Sequence, residues 1–147
     1  AFSFNRLNNY MGKWIRHCGW YPDVKLRMWN RNKGDWGGKN PHDKVIMQPG
    51  TSLKHLKGDL LHYSYFSTEQ HLNQLNKFTE IAAREAVASN VKSSLLKAIF
   101  KSIWKFKRDY FLKLGFLDGY YGFIVCYLSA HAVFIKYLKI AELSRKK

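Results

Sequence analysis

Between Asp118 and Lys136 the chain carries no full charge for 17 residues, Gly119 to Ile135. That interval constrains the fold more than any other. A bilayer span needs roughly 20 apolar residues, so the interval sits at the lower limit for one. Its Tyr120, Tyr121, Tyr127, Ser129 and His131 are polar enough to keep three placements open. The first is a helix that lies in or dips into one leaflet, or packs on its neighbour. The second is a complete span. The third is a core helix of a soluble fold. Ser144-Arg145-Lys146-Lys147 then ends the chain with basic residues, as on the cytoplasmic side of an anionic leaflet.

The segment before it is amphipathic. Leu96, Ile99, Phe100, Ile103, Tyr110 and Leu114 make one apolar stripe, and Lys97, Lys101, Lys105 and Arg108 a basic one. The spacing predicts a helix over 91–114. With Trp104 and Phe106 it suits an interfacial membrane helix, against an ordinary helix whose lysines face water. A third helix is predicted over 67–89. Ser67 and Gln70 have capping-box spacing, and Leu72, Leu75, Phe78, Thr79, Ala82 and Ala86 recur at helical intervals.

The first part of the chain reads as strands and turns. Phe2 and Phe4 alternate with Ser3 and Asn5, while 6–16 is ambiguous between helix and extended structure, weakened as helix by Gly12. Residues 19–23 form a turn at Pro22. Val24 to Trp29 alternates apolar and basic, a half-buried strand with Lys25 and Arg27 on one face. Residues 48–58 read as loop and 59–65 as an aromatic-rich strand. The chain opens at Ala1 without methionine and with a strand already under way, which leads us to expect sequence upstream.

Trp36 to Val45 packs two glycines, a proline, a ring, a histidine and a carboxylate into ten residues. Gly37 and Gly38 permit unusual backbone angles, and Pro41 biases Asn40 toward extended structure. The expected result is a rigid loop that aims His42 and Asp43 into one space. Asp43 is a candidate general base; the competing reading is a turn former, or a partner of Lys44.

A formal net charge of +15 favours an anionic partner: nucleic acid, acidic lipid or a phosphorylated substrate. The 46% apolar content argues against disorder, and aromatics at 16% suit sugar stacking, a membrane interface or a dense core. Cys18 and Cys126 form no disulfide or metal pattern. Walker, Rossmann and zincin motifs are absent, and the six histidines lack the spacing of a closed metal site. A nucleic-acid partner is not expected. The basic residues gather on a helix before an apolar segment, and no RNA-recognition motif is visible.

Several stretches form an ordered series: Arg6-Leu-Asn-Asn-Tyr10, Lys13-Trp-Ile-Arg-His17, Gly19-Trp-Tyr-Pro-Asp23, Lys25-Leu-Arg27, Trp36 to Val45 and Gly58 to Tyr65. Gln70-His71, Lys77-Phe-Thr79, Arg108-Asp-Tyr110 and Leu114 to Phe123 continue it. The series resembles the C-terminal half of bacterial glycosyltransferase family 2 enzymes. It is most similar to the lipopolysaccharide-core type that adds glucose to an inner-core heptose.

The resemblance implies an α/β fold, the C-terminal part of a GT-A nucleotide-sugar transferase, followed by a helical, membrane-associating region. Residues 1–66 would be the acceptor side of the catalytic domain. Residues 67–147 would be the helical region, with basic amphipathic and apolar helices over 91–140. The family's donor half carries an Asp-x-Asp metal motif, which this chain lacks. Family members place a carboxylate after a histidine on the acceptor side, and His42-Asp43 matches that position, with Asp where many carry Glu. A late histidine near the metal and diphosphate corresponds to His62.

The expectation is then inverting transfer from a nucleotide-sugar donor to a lipid-linked saccharide acceptor, dependent on a divalent cation (Mg or Mn). Asp43 would be the base, His62 a metal ligand, Arg27 a phosphate holder and Trp36 a sugar platform, with Gly37, Asn40 and His42 beside the substrate. The setting would be the cytoplasmic face of the bacterial inner membrane, peripheral or monotopic, against an anionic membrane surface. The competing class is a noncatalytic, membrane-peripheral binding module.

Overall fold

The computed structural model describes residues 1–38 and 44–145. The fold is mixed α/β. It comprises strands β1 (Phe2–Tyr10), β2 (Lys13–Ile15), β3 (Asp23–Met28), β4 (Gly34–Gly37), β5 (Lys44–Met47) and β6 (Lys54–Tyr65). Helices α1 (Thr68–Ala88), α2 (Leu95–Lys107) and α3 (Gly119–Arg145) follow.

β1 is the centre of the main sheet. One edge pairs in parallel with β6. The other pairs antiparallel with β3 through Phe4–Lys25 and Arg6–Asp23, then with β2 through Asn8–Ile15 and Tyr10–Lys13. The ambiguous stretch 6–16 is therefore extended. Its apolar residues fit either period, and the cross-strand partners decide. Gly12, at φ +90°, supplies the turn between β1 and β2, and its N–H donates to Asn9 Oδ1 at 2.9 Å.

β6 starts at Lys54, inside the stretch read as loop. It passes Gly58 (φ +108°) through a bulge, where pairing jumps from Ser3–His55 to Asn5–Asp59. β4 and β5 form a separate two-stranded ribbon.

α1 begins as its capping spacing predicts. Ser67 Oγ accepts from Gln70 N–H at 3.1 Å, and Gln70 Oε1 accepts from Phe66 N–H at 2.8 Å. Its buried line is His71, Leu75, Thr79, Ala83 and Val87; Leu72 and Phe78 of the expected stripe are exposed.

The predicted helix 91–114 is shorter than expected. Ser94 caps α2, which gives way at Arg108–Leu112 to one wide π turn and breaks at Leu114 in the left-handed region. The basic stripe of α2 is solvated only in part: Lys97 and Lys101 are exposed, while Lys105 and Arg108 are half-buried. Lys105 and Arg108 pair with Asp109, which is 1% exposed, and Lys97 sits 5.7 Å over the Tyr137 ring of α3. Ala98 is the one buried residue of α2, and its apolar stripe looks outward.

α3 is long and apolar enough, by length and composition, to cross a membrane. Here it packs on both α1 and α2. Val125 and Cys126 meet Tyr10, Ile15 and Cys18 of the strand region in the main core, and Ile140 meets Ala83 and Val87 of α1 in a second cluster. Burying such side chains is worth about 1.5–3 kcal/mol each.

Polar clamps fix the junction. Asp118, buried just before α3, accepts from His17 N–H at 2.8 Å, from Arg16 N–H at 3.2 Å, and contacts His17 Nδ1 at 3.0 Å. Cys18 N–H donates to Lys113 O at 3.1 Å. At Gly122 an added Cβ would overlap the Gly115 carbonyl oxygen, so the turn before α3 lies directly on its first turn.

Candidate functional site

Side chains two apart on a strand share a face. β1 thus aligns Arg6 with Asn8, β3 aligns Asp23 with Lys25, and β6 aligns His62 with Ser64. Arg6 lies opposite Asp23, and Asn8 opposite His62. The first turns of α1 add Gln70, Gln74 and Phe78, and the turn between β2 and β3 adds Trp20. Together these side chains line a cavity of about 660 Å³.

The cavity carries excess positive charge. Asp23 is shared by Arg6, whose Nε donates at 2.8 Å, and Lys25, whose Nζ lies at 2.9 Å. Two cations on one carboxylate leave one charge uncompensated. His62 sits among them. Its Nδ1 lies 2.9 Å from Ser64 Oγ and 3.0 Å from Asn8 Oδ1, and Ser64 Oγ donates to the same Asn8 oxygen at 3.1 Å. The Asn8 oxygen is an acceptor, so Nδ1 carries the proton and Nε2 is the ring's acceptor. Burial lowers the His62 pKa, and Arg6 and Arg27 lower it further. His62 is therefore a neutral imidazole at neutral pH.

Behind the cavity, Tyr10 OH meets His71 Nδ1 at 2.9 Å, and His71 stacks on Tyr65 with ring centroids 4.2 Å apart. Burial pushes the His71 pKa down to about 4 and Tyr10 up to about 12, with Tyr65 and Tyr120 adding to the latter. Both rings stay uncharged, which suits a wall shared with the core.

Of the residues singled out by sequence, His62 is in the cavity. Arg27 and Trp36 are brought together: the guanidinium lies 5.7 Å over the indole, and Trp29 meets Trp36 edge-on at 5.6 Å. Arg27 is also near enough for its charge to act on His62. Gly37 is a regular strand residue packed against Ile46, whereas Gly38 takes the left-handed angle, φ +108°. Asn40, His42 and Asp43 lie outside the described residues.

Among the described residues, no three His, Cys, Asp or Glu side chains converge as a metal-ligand group. Among the described residues that line the cavity, the one carboxylate, Asp23, is already engaged by two cations. These residues do not by themselves fit a divalent-cation site around His62.

Sequence reasoning missed Arg6, Asn8, Gln70 and Gln74. The signal was available for Arg6 and Asn8, which alternate with Leu7 once the stretch is taken as a strand. Ser64 holds His62, with its Oγ 2.9 Å from the ring's Nδ1.

The comparisons with known proteins point in one direction. The chain is similar to an uncharacterized glycosyltransferase of Rickettsia typhi, 27% identical over 128 residues, covering 82% of this chain and 44% of the relative. It is 29% identical over 109 residues to one of Rickettsia prowazekii, covering 71% of this chain and 37% of that protein. It is 31% identical over 109 residues to one of Rickettsia conorii, covering 71% and 39% respectively. No protein-family model matches, and no solved structure matches. The chain is thus similar, over most of its length, to proteins named glycosyltransferases, and it spans about two fifths of the length of these relatives.

Proposed function

We propose that this chain forms the acceptor side of an inverting, GT-A-type glycosyltransferase. It would move a sugar, glucose by its family resemblance, from a nucleotide-sugar donor to a lipopolysaccharide-core or other lipid-linked saccharide. The carrying observation is the cavity between the sheet and α1. Sugars present hydroxyl rims and apolar faces, and this cavity answers both. Amides of Asn8, Gln70 and Gln74 and the imidazole of His62 offer directional hydrogen bonds, while Trp20, Tyr65 and Phe78 offer apolar walls. The charge excess of Arg6 and Lys25 suits phosphate on donor or acceptor. The similarity to named glycosyltransferases supports the same reading.

In this mechanism an acceptor hydroxyl oxygen bonds to the anomeric carbon as the bond from that carbon to the diphosphate oxygen breaks. The electron pair leaves with the nucleoside diphosphate, and the hydroxyl proton passes to Asp43. His62, neutral, accepts a hydrogen bond from a sugar hydroxyl. Arg27 holds phosphate, and Trp36, backed by Trp29, presents a ring to the sugar. A divalent cation, where bound, would offset charge on the leaving diphosphate.

The test is sugar-nucleotide turnover by the intact protein with a saccharide acceptor. Asp43→Asn is expected to abolish transfer and retain donor binding. Wild-type turnover in that variant removes Asp43 from the mechanism. Failure of the intact protein to turn over any nucleotide sugar overturns the transferase reading in favour of a noncatalytic, membrane-peripheral module.

A further inference from the structure

We propose that the outward face of α2, with the groove between α2 and α3, docks on an anionic phospholipid bilayer. The proposal takes up the membrane setting of the transfer reading and names the surface that meets lipid. It requires no chemistry at the cavity.

The first observation is an inverted helix. A helix packed on a soluble core turns its apolar stripe inward. α2 does the opposite: Phe100 is 71% exposed, Leu96 68% and Trp104 56%, with Ile103 beside them. Large contiguous apolar surface of this kind marks an interaction site. The surface continues into a groove of about 560 Å³, floored by Phe123 and Tyr127, whose rings stack at 6.1 Å.

The second observation is charge, and it selects the occupant. From Val91 to Arg108 there is no acidic residue. Lys97, Lys101 and Lys107 are exposed around the apolar face. A second copy of the chain would bring the same lysines against these, opposing like charges. An anionic headgroup layer over acyl chains complements both features at once: lysines meet phosphate, Leu96 and Phe100 enter the acyl boundary, and Trp104 takes the interfacial level that indole prefers. Lys105 differs from its neighbours on α2, because Asp109 holds it inward. It belongs to the fold rather than to the lipid contact.

The experiment measures binding of the intact protein to phosphatidylcholine vesicles with and without phosphatidylglycerol, using lipids brominated along the acyl chain as a depth probe. Binding is expected on the anionic vesicles, with bromine quenching that disappears in Trp104→Phe. This readout belongs to α2 whatever other segment touches lipid. Phe100→Asp, at an exposed position where the fold is indifferent, should lower partitioning about tenfold or more. Joint replacement of Lys97, Lys101 and Lys107 by Gln should lower it about fivefold per charge.

Unchanged partitioning of Phe100→Asp overturns the proposal. So does binding that salt abolishes while Trp104 stays unquenched, since contact is then with headgroups alone. A wild-type dimer that Phe100→Asp converts to monomer, without Trp104 quenching, assigns the face to self-association instead. Vesicle binding is read without donor or acceptor, so failure here and failure of sugar transfer are separate results.

Discussion

Acidification should loosen this fold through one ring. His71 is 6% exposed, stacked on Tyr65 and joined to Tyr10 OH. Its pKa is about 4 in the folded chain, against an ordinary 6.5. The unfolded chain therefore binds the proton more readily, and stability falls as pH falls from above 6.5 toward 4. Tyr10 and Tyr65, whose pKa values are raised, stay neutral throughout and contribute nothing to the slope. With those two pKa values, lowering the pH from 7 to 5 costs about 2 kcal/mol, and the loss levels off near about 3 kcal/mol below pH 4. The assay is urea denaturation of the intact protein and of His71→Gln at both pH values. Gln keeps a partner for Tyr10 but has no proton to gain. The wild type should lose about 2 kcal/mol more than the variant across that interval. His62, whose pKa is also lowered, acts equally in both proteins and cancels. Equal losses in the two proteins, or an NMR titration placing His71 near 6.5, would refute the reasoning.

Two further outcomes concern the junction before α3. Asp118→Ala leaves the Arg16 and His17 N–H groups without their acceptor in a buried setting, and should destabilise by about 2–4 kcal/mol, read as a lowered urea midpoint with unchanged slope. Gly122→Ala sets a methyl against the Gly115 carbonyl oxygen; the backbone must move, at about 1–3 kcal/mol or more, and the thermal midpoint should fall accordingly.

Local chemistry was legible in the sequence where a few neighbouring residues decide it. The cap of α1 needs only Ser67 and Gln70, and β3 is visible as a strand in six residues, although Val24 and Met28 of its expected apolar face are exposed. What depended on distant partners was not. The second half of β1, ambiguous by its own residues, is a strand because β2, β3 and β6 flank it. The two stripes of α2 were visible, but not which one faces the protein; Asp109 settles that by drawing in Lys105 and Arg108. His62 was identified, yet the residue that fixes its tautomer is Asn8, which is 54 positions away. Asp43, the centre of the sequence argument, falls outside the described residues, so the site now stands on the sheet face and on α1.

The hydrogen bond from Cys18 N–H to Lys113 O joins two surfaces with different duties. Gly19, next in the chain, lines the cavity, and Lys113 follows directly on the turn that ends the α2 segment. If α2 rests on lipid, this bond makes the molecule a gauge: how deep α2 sinks sets how high the cavity stands above the phosphates. On the proposed sugar transfer, only an acceptor whose stem carries its sugar that far from the bilayer would reach the opening.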